Sequence, residues 1–414
     1  MTTLITNIKY LFNVTEQSQP LKGKALAQLP SITDAYLLIE DDTIIDYGHM
    51  HDIDVKITHK PQNIIDANGR SILPCWCDSH THLVFAASRE NEFIDKINGL
   101  SYAEIAARGG GILNSAEKLN NTSEEMLFTL AMERLKIAQL MGTGAIEIKS
   151  GYGLTLEGEL KMLRVIRRLQ KATGMIIKST FLGAHAIPAE FKDNKEGYIQ
   201  VIINDMLPAI AKENLADYID TFCEKGFFSA RDTAQICEAG MRYGLKPKLH
   251  VNQLNSIGGI ETGIAHQAVS LDHLETLNEQ EINLLGKWNG ISTLLPTAAF
   301  FLKMEMQPAR ALINAGATVA LASDFNPGSS PGANMHFVIA LSCIQMKMLP
   351  EEAINAATIN GAAAMEVLNE TGSISIGKKA NIILTQPIPS LAYIPYSFSH
   401  NIINRVMING NWIS

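Results

Sequence analysis

The fold is decided by residues 71–85, which read SILPCWCDSHTHLVF. The apolar run ILPCWC predicts a strand, and His80 and His82 follow it closely. Side chains two positions apart in a strand point to the same side, so the two imidazoles could converge on a metal ion. The alternative is an exposed polar turn at the end of the strand. This stretch alone leaves both interpretations open.

Composition and charge limit the possible classes of protein. The chain has 414 residues, is 46% hydrophobic and carries a formal charge of −8 without a basic block, which argues against nucleic acid and anionic membrane surfaces as partners. No signal segment or run of about 18 apolar residues is found, so we expect a cytoplasmic location. Five scattered cysteines argue against a disulfide framework.

From about residue 70 onwards, short β-branched segments alternate with longer amphipathic ones, as in repeated βα units. The strand candidates are RSILPCWCD (70–78), TGAIEIKS (143–150), IIKSTFLGAH (176–185), YIDTFCEKG (218–226), KPKLHVNQ (246–253), QAVSLDHLE (267–275), NGISTLLPTA (289–298) and ATVALASDFNPG (317–328). Segments such as 123–141 and 156–173 have helical periodicity. Eight units predict an α/β fold, a (β/α)8 TIM barrel over residues 71–370. A doubly wound open sheet is the alternative, but no glycine-rich phosphate loop follows the first strand.

The two ends of the chain differ from this middle part. Residues 1–70 and 371–414 contain short strand-like segments, and neither end is long enough for a core of its own. We therefore predict that both ends together form one small composite β-domain, similar to a β-sandwich, with the barrel inserted between them.

Polar residues lie near the carboxyl ends of the strand candidates, where such barrels hold their active sites. The histidines and aspartate among them that could bind a cation are His80, His82, His250, His273 and Asp324. Nitrogen and carboxylate ligands suit zinc or ferrous iron. Any one of these histidines could be a satisfied polar residue at a strand end, but their joint occurrence favours a metal site.

At this point the chain resembles the amidohydrolase superfamily. The superfamily motif PGxxDxHxH corresponds to PCWCDSHTH at residues 74–82, and GSISIGKKANIIL at residues 372–384 is similar to a second superfamily pattern, GxIxxGKxADLV. Within the superfamily the chain resembles the imidazolonepropionases over nearly its whole length. The matching stretches are SRENEF, YAEIAARGGGI, EIKSGYGL, TFLGAHAIP, DTFCEKGFFS, LDHLE and ASDFNPGSSPGANM.

The resemblance implies a metal centre with a catalytic histidine beside it. His80, His82, His250 and Asp324 are the implied ligands of one divalent ion, zinc or iron. Asp324 would also carry a proton, and His273 would polarise the scissile carbonyl or transfer a proton, although His273 could instead be a fifth ligand. The chain departs from the family patterns in Cys75, which replaces a glycine, in Gln253, where some members have glutamate, and in having no lysine on the fourth strand to bridge two metals.

The implied substrate is the small molecule imidazolone propionate (4-imidazolone-5-propanoate), whose cyclic amide would be hydrolysed to N-formimidoyl-L-glutamate in histidine degradation. Spacing alone favours a surface Arg89 paired with Glu90 or Glu92, whereas the resemblance implies that Arg89 binds the propionate. The other implied substrate contacts are Tyr152, His185, Gln253, Asn326, Gly328 and Ser329, with Tyr102, Glu147, Lys149 and Glu224 as candidates for the surrounding shell. The alternatives are a deaminase of heterocycles and a metal-free scaffold protein. A homodimer is expected from the family.

Overall fold

A computed structural model describes residues 1–16, 18–57, 60–100, 104 and 110–413. The strands are β1 (Thr2–Phe12), β2 (Ser31–Glu40), β3 (Thr43–His49), β4 (Asn63–Asp66), β5 (Ile72–Pro74), β6 (Trp76–Asp78), β7 (Thr143–Lys149), β8 (Ile176–Ala184), β9 (Tyr218–Cys223), β10 (Lys246–Val251), β11 (Ser270–His273), β12 (Ile291–Leu294), β13 (Thr318–Leu321), β14 (Ile382–Thr385), β15 (Ile403–Ile408) and β16 (Asn411–Trp412). Within the described residues these strands form two sheets.

Helices cover the sheets and fill the connections between strands. The α-helices are Ile53–Lys56, Glu90–Ile97, Ile112–Asn120, Glu124–Leu140, Leu156–Thr173, Lys195–Val201, Leu207–Glu213, Ala230–Met241, Gly259–Ala265, Glu279–Lys287, Pro296–Leu302, Ala309–Ala315, Met335–Met346, Pro350–Ala357, Ile359–Ala364 and Tyr393–Tyr396. Short 3-10 turns occur at Gly23–Ala27, Met50–Asp52 and Ala189–Phe191, and a π turn at Ile202–Met206. In the part of the chain that the structure describes, none of these helices has the length and apolar character needed to cross a bilayer.

The predicted barrel is confirmed. Strands β6 to β13 pair in chain order, and every pairing is parallel. The segments that follow the first and last of these strands meet and close the barrel, because the His82 N–H donates to the Phe325 carbonyl over 2.8 Å and the Asp324 N–H donates to the His80 carbonyl over 3.0 Å. The seam of the barrel is therefore made by the segments that carry three of the predicted metal ligands.

Local sequence explains the alternation of strands and helices. All seven residues of β7 are buried, and its threonine, alanine and isoleucine residues suit that position, whereas Glu147 and Lys149 form an ion pair. The helix Glu124–Leu140 begins at Ser123, whose side-chain oxygen accepts the Met126 N–H. The helix Leu156–Thr173 ends at Gly174, whose left-handed φ of 65° is readily adopted by glycine. Both helices agree with the predicted segments 123–141 and 156–173.

The second sheet is built from both ends of the chain. Its order is β16-β15-β14-β5-β1-β2-β3, and β4 also pairs with β1. Apolar side chains that include Ile5, Ile8, Leu37, Ile72 and Ile382 form its buried core. This sheet fits the predicted composite β-domain. The division of the chain at residues 70 and 371 stays a prediction.

The first predicted strand, residues 70–78, divides between the two sheets. Its first part, β5, pairs with β1 and β14 in the composite sheet, and its second part, β6, pairs with β7 in the barrel. The change takes place at Cys75, whose N–H donates to the Asn381 carbonyl over 3.0 Å, while the next N–H, that of Trp76, donates to the Gly142 carbonyl over 2.9 Å. The strand that leads to His80 and His82 is thus anchored on the composite sheet.

Candidate metal centre and active-site cavity

The carboxyl end of the barrel brings the predicted metal ligands together. His80 and His82 follow β6, His250 lies in β10, His273 ends β11 and Asp324 follows β13. All five side chains are buried. Because the strands are parallel, these residues from four different strands meet at one mouth of the barrel, as such barrels require of an active site.

Three imidazoles point their Nε2 atoms at a common centre. The His80 and His250 Nε2 atoms are 3.1 Å apart, and the His250 and His82 Nε2 atoms are 3.3 Å apart. One carboxylate oxygen of Asp324 lies 3.6 Å from Nε2 of both His80 and His82. These three histidines offer ring nitrogens that all lie within 4.8 Å of one another.

The protonation of the rings fits a cation at this centre. The His80 Nδ1–H donates to Asp272 over 2.7 Å, and the His250 Nδ1–H donates to Asp220 over 2.8 Å, because a carboxylate can only accept. Burial lowers the pKa values of both histidines, and of His82, well below the usual range, so the rings are neutral. The Nε2 lone pairs of His80 and His250 therefore face each other at close range, an arrangement that a cation would stabilise. The three histidines are therefore a candidate site for a divalent metal ion.

Asp324 completes the ring of candidate ligands. Burial raises the pKa of its carboxyl group to about 7. A cation at the neighbouring centre would favour the ionised form. Asp324 also has a left-handed φ of 50°, an uncommon backbone conformation that occurs frequently at functional sites. The aspartate is thus held in a conformation that presents its carboxylate to the histidines.

His273 faces the cavity beside this centre. Its φ of 86° is followed by a φ of 64° at Leu274, so the chain turns sharply where β11 ends. The His273 Nδ1–H donates to Glu275 over 3.2 Å, and Gln307 donates to the same Glu275 oxygen over 2.9 Å. Burial alone would lower the pKa of His273, but the charge of Glu275 raises it above its ordinary value. The ring is fixed with Nε2 available to a bound molecule.

A cavity of about 590 Å³ opens above the metal centre. This volume lies within the usual range for small-molecule sites. Its wall includes the predicted catalytic residues His273 and Asp324. It also includes every residue predicted to contact substrate, namely Arg89, Tyr152, His185, Gln253, Asn326, Gly328 and Ser329. The structure therefore brings the predicted catalytic and substrate-contact residues to one cavity.

His185 and Tyr152 form an aromatic wall next to the metal centre. The rings of His185 and His82 stack with centroids 5.3 Å apart, and Tyr152 lies 5.4 Å from His185. The His185 Nδ1–H donates to the Gly151 carbonyl over 2.9 Å, and burial lowers the pKa of His185 to about 4. His185 is therefore neutral at physiological pH and can accept a hydrogen bond at Nε2.

Cationic groups lie in the wall contributed by Arg89 and by the helix Glu90–Ile97 that follows it. Arg89 donates through Nε to Glu92 over 2.9 Å, so it is ion-paired and also lines the cavity. The Lys96 ammonium donates to the Gly328 carbonyl over 2.9 Å. A Cβ atom at position 328 would come within 2.3 Å of the Arg89 guanidinium, so glycine allows the cation to pack against this loop. This wall could bind an anionic group.

The loop after β13 is shaped by Asn326. Its side-chain oxygen accepts the N–H groups of Gly328 and Ser329, each over 2.8 Å, and its side-chain nitrogen donates to the Asp324 carbonyl over 2.6 Å. The Asn326 amide is thus engaged within the loop, and the backbone of Gly328 and Ser329 is held against the cavity.

The residues predicted to surround the site and described by the structure lie in different parts of the barrel. Glu224 accepts the Leu254 N–H over 2.8 Å and so holds the loop that carries Gln253. Glu147 and Lys149 are fully buried within the barrel. Tyr102 lies outside the described residues.

Sequence reasoning missed several residues that support the site. Asp220 accepts a hydrogen bond from His250, and Asp272 accepts one from His80. Glu275 accepts hydrogen bonds from both His273 and Gln307. A signal existed for the two aspartates, since each is a carboxylate inside a fully buried strand. Gln307 belongs to an irregular segment and had no comparable signal.

The fold and the site are those of a (β/α)8-barrel enzyme with a candidate divalent metal centre at the carboxyl end of the barrel. Comparison with known proteins agrees, because the amidohydrolase family model matches residues 202–413. Among solved structures, guanine deaminase from E. coli superimposes with a TM-score of 0.75 at 14% identity and covers 100% of this chain and 99% of its own. That similarity concerns the fold.

Curated relatives identify one group of enzymes within this family. The imidazolonepropionase of Flavobacterium johnsoniae is 54% identical over 414 residues, and that of Christiangramia forsetii is 53% identical over 414 residues. In both comparisons the alignment covers 100% of this chain and 100% of the relative. The chain belongs to the amidohydrolase family and, within it, to the imidazolonepropionases.

Proposed function

We propose that this protein is a metal-dependent hydrolase that opens the cyclic amide of 4-imidazolone-5-propanoate and releases N-formimidoyl-L-glutamate in histidine degradation. The observation that carries the proposal is one cavity that joins the histidine centre to a wall containing Arg89. Two relatives that are 54% and 53% identical over full length are imidazolonepropionases, which supports the same reaction.

The reaction adds water across the carbon–nitrogen bond of the ring amide. The water oxygen becomes bonded to the carbonyl carbon, the bond to the ring nitrogen breaks, and that nitrogen receives a proton. A divalent cation held by the three histidines and Asp324 would lower the pKa of a water molecule and make it nucleophilic at neutral pH. The remaining requirements are orientation and proton transfer, which the side chains of the cavity can provide.

Each side chain has a proposed role. Asp324 accepts a proton from the attacking water and returns it to the leaving ring nitrogen. His273, held by Glu275, donates a hydrogen bond to the scissile carbonyl oxygen or a proton to the departing group. His185 and Gln253 contact the ring together with Tyr152. The backbone of Gly328 and Ser329, shaped by Asn326, contacts the substrate at the side where Arg89 binds the propionate.

We propose one zinc or iron ion for the centre, bound by His80, His82, His250 and Asp324. This ligand set of imidazole nitrogens and a carboxylate suits either metal. The described strand β9 reads YIDTFC and carries no lysine that could bridge a second ion. We further propose that the protein acts in the cytoplasm as a homodimer, without nucleic acid or membrane partners.

The function is tested by following ring opening of imidazolonepropionate through the loss of its absorbance. We expect turnover by the metal-loaded protein, and no ammonia release from guanine offered at the same concentration. Arg89 favours this result because it suits an acidic ring substrate rather than a neutral base. Deamination of guanine without opening of the imidazolone would contradict the proposal and favour a deaminase.

The variant Arg89→Met is expected to raise KM about 100-fold, since a hydrogen-bonded charge pair contributes up to about 3 kcal/mol. We expect kcat to change less than about threefold, because the carboxylate is bound equally in the ground and transition states. Steady-state kinetics measures both constants. As a control, the propionamide analogue should lose little further affinity on the same substitution. An unchanged KM for the natural substrate would disprove the propionate role.

A further inference from the structure

A cluster of buried charges lies beneath the metal centre. It contains Lys149, Lys248, Glu147, Asp220 and Asp272, and each of these side chains is 0% exposed. Burying several charges together costs desolvation energy that ion pairing often does not recover. A net stabilisation of the fold is therefore a weak explanation for this cluster, and its geometry relative to the metal ligands becomes informative.

Lys149 lies directly behind two metal-ligating histidines. Its Nζ is 2.9 Å from Oδ2 of Asp220 and 3.6 Å from Oδ2 of Asp272. These are the same two oxygens that accept the Nδ1–H groups of His250 over 2.8 Å and of His80 over 2.7 Å. One ammonium group is thus linked, through one carboxylate each, to two of the three converging rings.

Each aspartate is also fixed at its other oxygen. Asp220 Oδ1 accepts the backbone N–H of His250 over 3.0 Å, and Asp272 Oδ1 accepts the Ser270 hydroxyl over 2.6 Å. The two carboxylates therefore have little freedom to rotate. The ammonium of Lys149 provides the positive charge that two adjacent carboxylates need in a buried position.

We propose that Lys149 is a positioning residue of the metal centre, which holds Asp220 and Asp272 so that they direct Nε2 of His250 and of His80 at one cation. This inference rests on the proposed metal-dependent function and names the group that prepares its metal site. Partners of this outer kind fix the orientation of a ligating histidine, and their loss commonly weakens metal binding 10- to 100-fold.

The charge state of Lys149 is consistent with this role. Burial alone would lower the pKa of its ammonium group, but the neighbouring carboxylates, Asp220 first among them, raise it above the ordinary value. The side chain therefore stays a cation that can donate three hydrogen bonds. Its third contact is a hydrogen bond that it donates to Glu147 over 2.7 Å.

Lys248 offers a matched comparison within the same cluster. It is equally buried and it also pairs with Glu147, but its hydrogen bonds go to the Ala364 carbonyl over 2.8 Å and to the Ser79 carbonyl over 3.4 Å. Replacing either lysine by methionine removes one buried positive charge and leaves a similar volume. A difference in metal affinity between the two variants would therefore report on the link to the aspartates rather than on lost charge.

The test measures zinc affinity by competition with a chelator of known affinity, for the full-length wild type, Lys149→Met and Lys248→Met, with the unfolding temperature recorded for each. We expect Lys149→Met to bind zinc about 10- to 100-fold more weakly, and Lys248→Met to remain within about threefold of wild type. Equal losses in both variants, or unchanged affinity in Lys149→Met, would overturn the inference.

A second variant tests the inference if Lys149→Met does not fold. The double variant Lys149→Met Glu147→Gln removes one charge of each sign and keeps the net charge of the cluster, and we expect it to fold and to show the same loss of zinc affinity. If it also fails to fold, Lys149 is a folding residue and the inference is overturned. A wild type that binds no zinc or iron would instead contradict the proposed function itself.

Discussion

The variant His250→Ala is expected to lose its metal and its activity together. The substitution removes one of three converging Nε2 atoms and leaves the buried Asp220 without its histidine partner. A bound cation contributes several kcal/mol to stabilising the transition state. Since each 1.36 kcal/mol is a factor of ten, we expect kcat/KM to fall by at least about 1000-fold. Metal analysis of the purified variant and the ring-opening assay measure both losses.

A matched control separates this effect from the loss of any buried histidine. His336 is 5% exposed and donates to the Ile394 carbonyl from a helix outside the cavity wall. We expect His336→Ala to keep its metal and most of its activity. Treating the wild type with a chelator should reproduce the His250→Ala result, and added metal should reverse it. An active, metal-loaded His250→Ala would exclude a ligand role for His250.

The second large effect is expected for His273→Asn. Asparagine tolerates the left-handed backbone found at position 273, so the turn after β11 should be preserved. Removal of a general acid or base typically slows a reaction about 100- to 10,000-fold, and we expect a decrease of that size in kcat. KM should change little, because other residues of the cavity bind the imidazolone ring of the substrate. The measurements are steady-state kinetics and metal content.

This variant also decides between the two roles considered for His273. If His273 transfers a proton or polarises the carbonyl, the slow variant should retain close to one equivalent of metal. If it is a fifth ligand, metal and activity should fall together, as in His250→Ala. Turnover within about threefold of wild type would exclude both roles, since either one predicts a much larger change.

The barrel could be predicted because its signals are local. Most of the strands are short buried segments with a polar residue at or just after their carboxyl end, and parallel strands bring these ends to one mouth. His80, His82, His250 and Asp324 were therefore placed together from the sequence, and the structure brings them within a few ångströms of a common centre. Their roles as ligands remain predictions to be tested by metal analysis.

Other features depend on contacts between distant parts of the chain and could not be predicted. The segment ILPCWC has the pattern of a single strand, but Cys75 hydrogen-bonds to Asn381 while Trp76 hydrogen-bonds to Gly142. No local pattern specifies these partners. In the same way, the sequence placed Lys149 near a strand end but did not indicate that Asp220 and Asp272 would face it.

The anchoring of the first barrel strand has a consequence for how the enzyme is made. β5, one residue before the strand that leads to His80 and His82, pairs with β14 near the far end of the chain. A growing polypeptide on the ribosome can assemble the helices and strands of the middle region before β14 has been made. At that stage β5 still lacks the strand with which it pairs. We expect metal acquisition to be a late step of maturation, after translation has delivered the last strands.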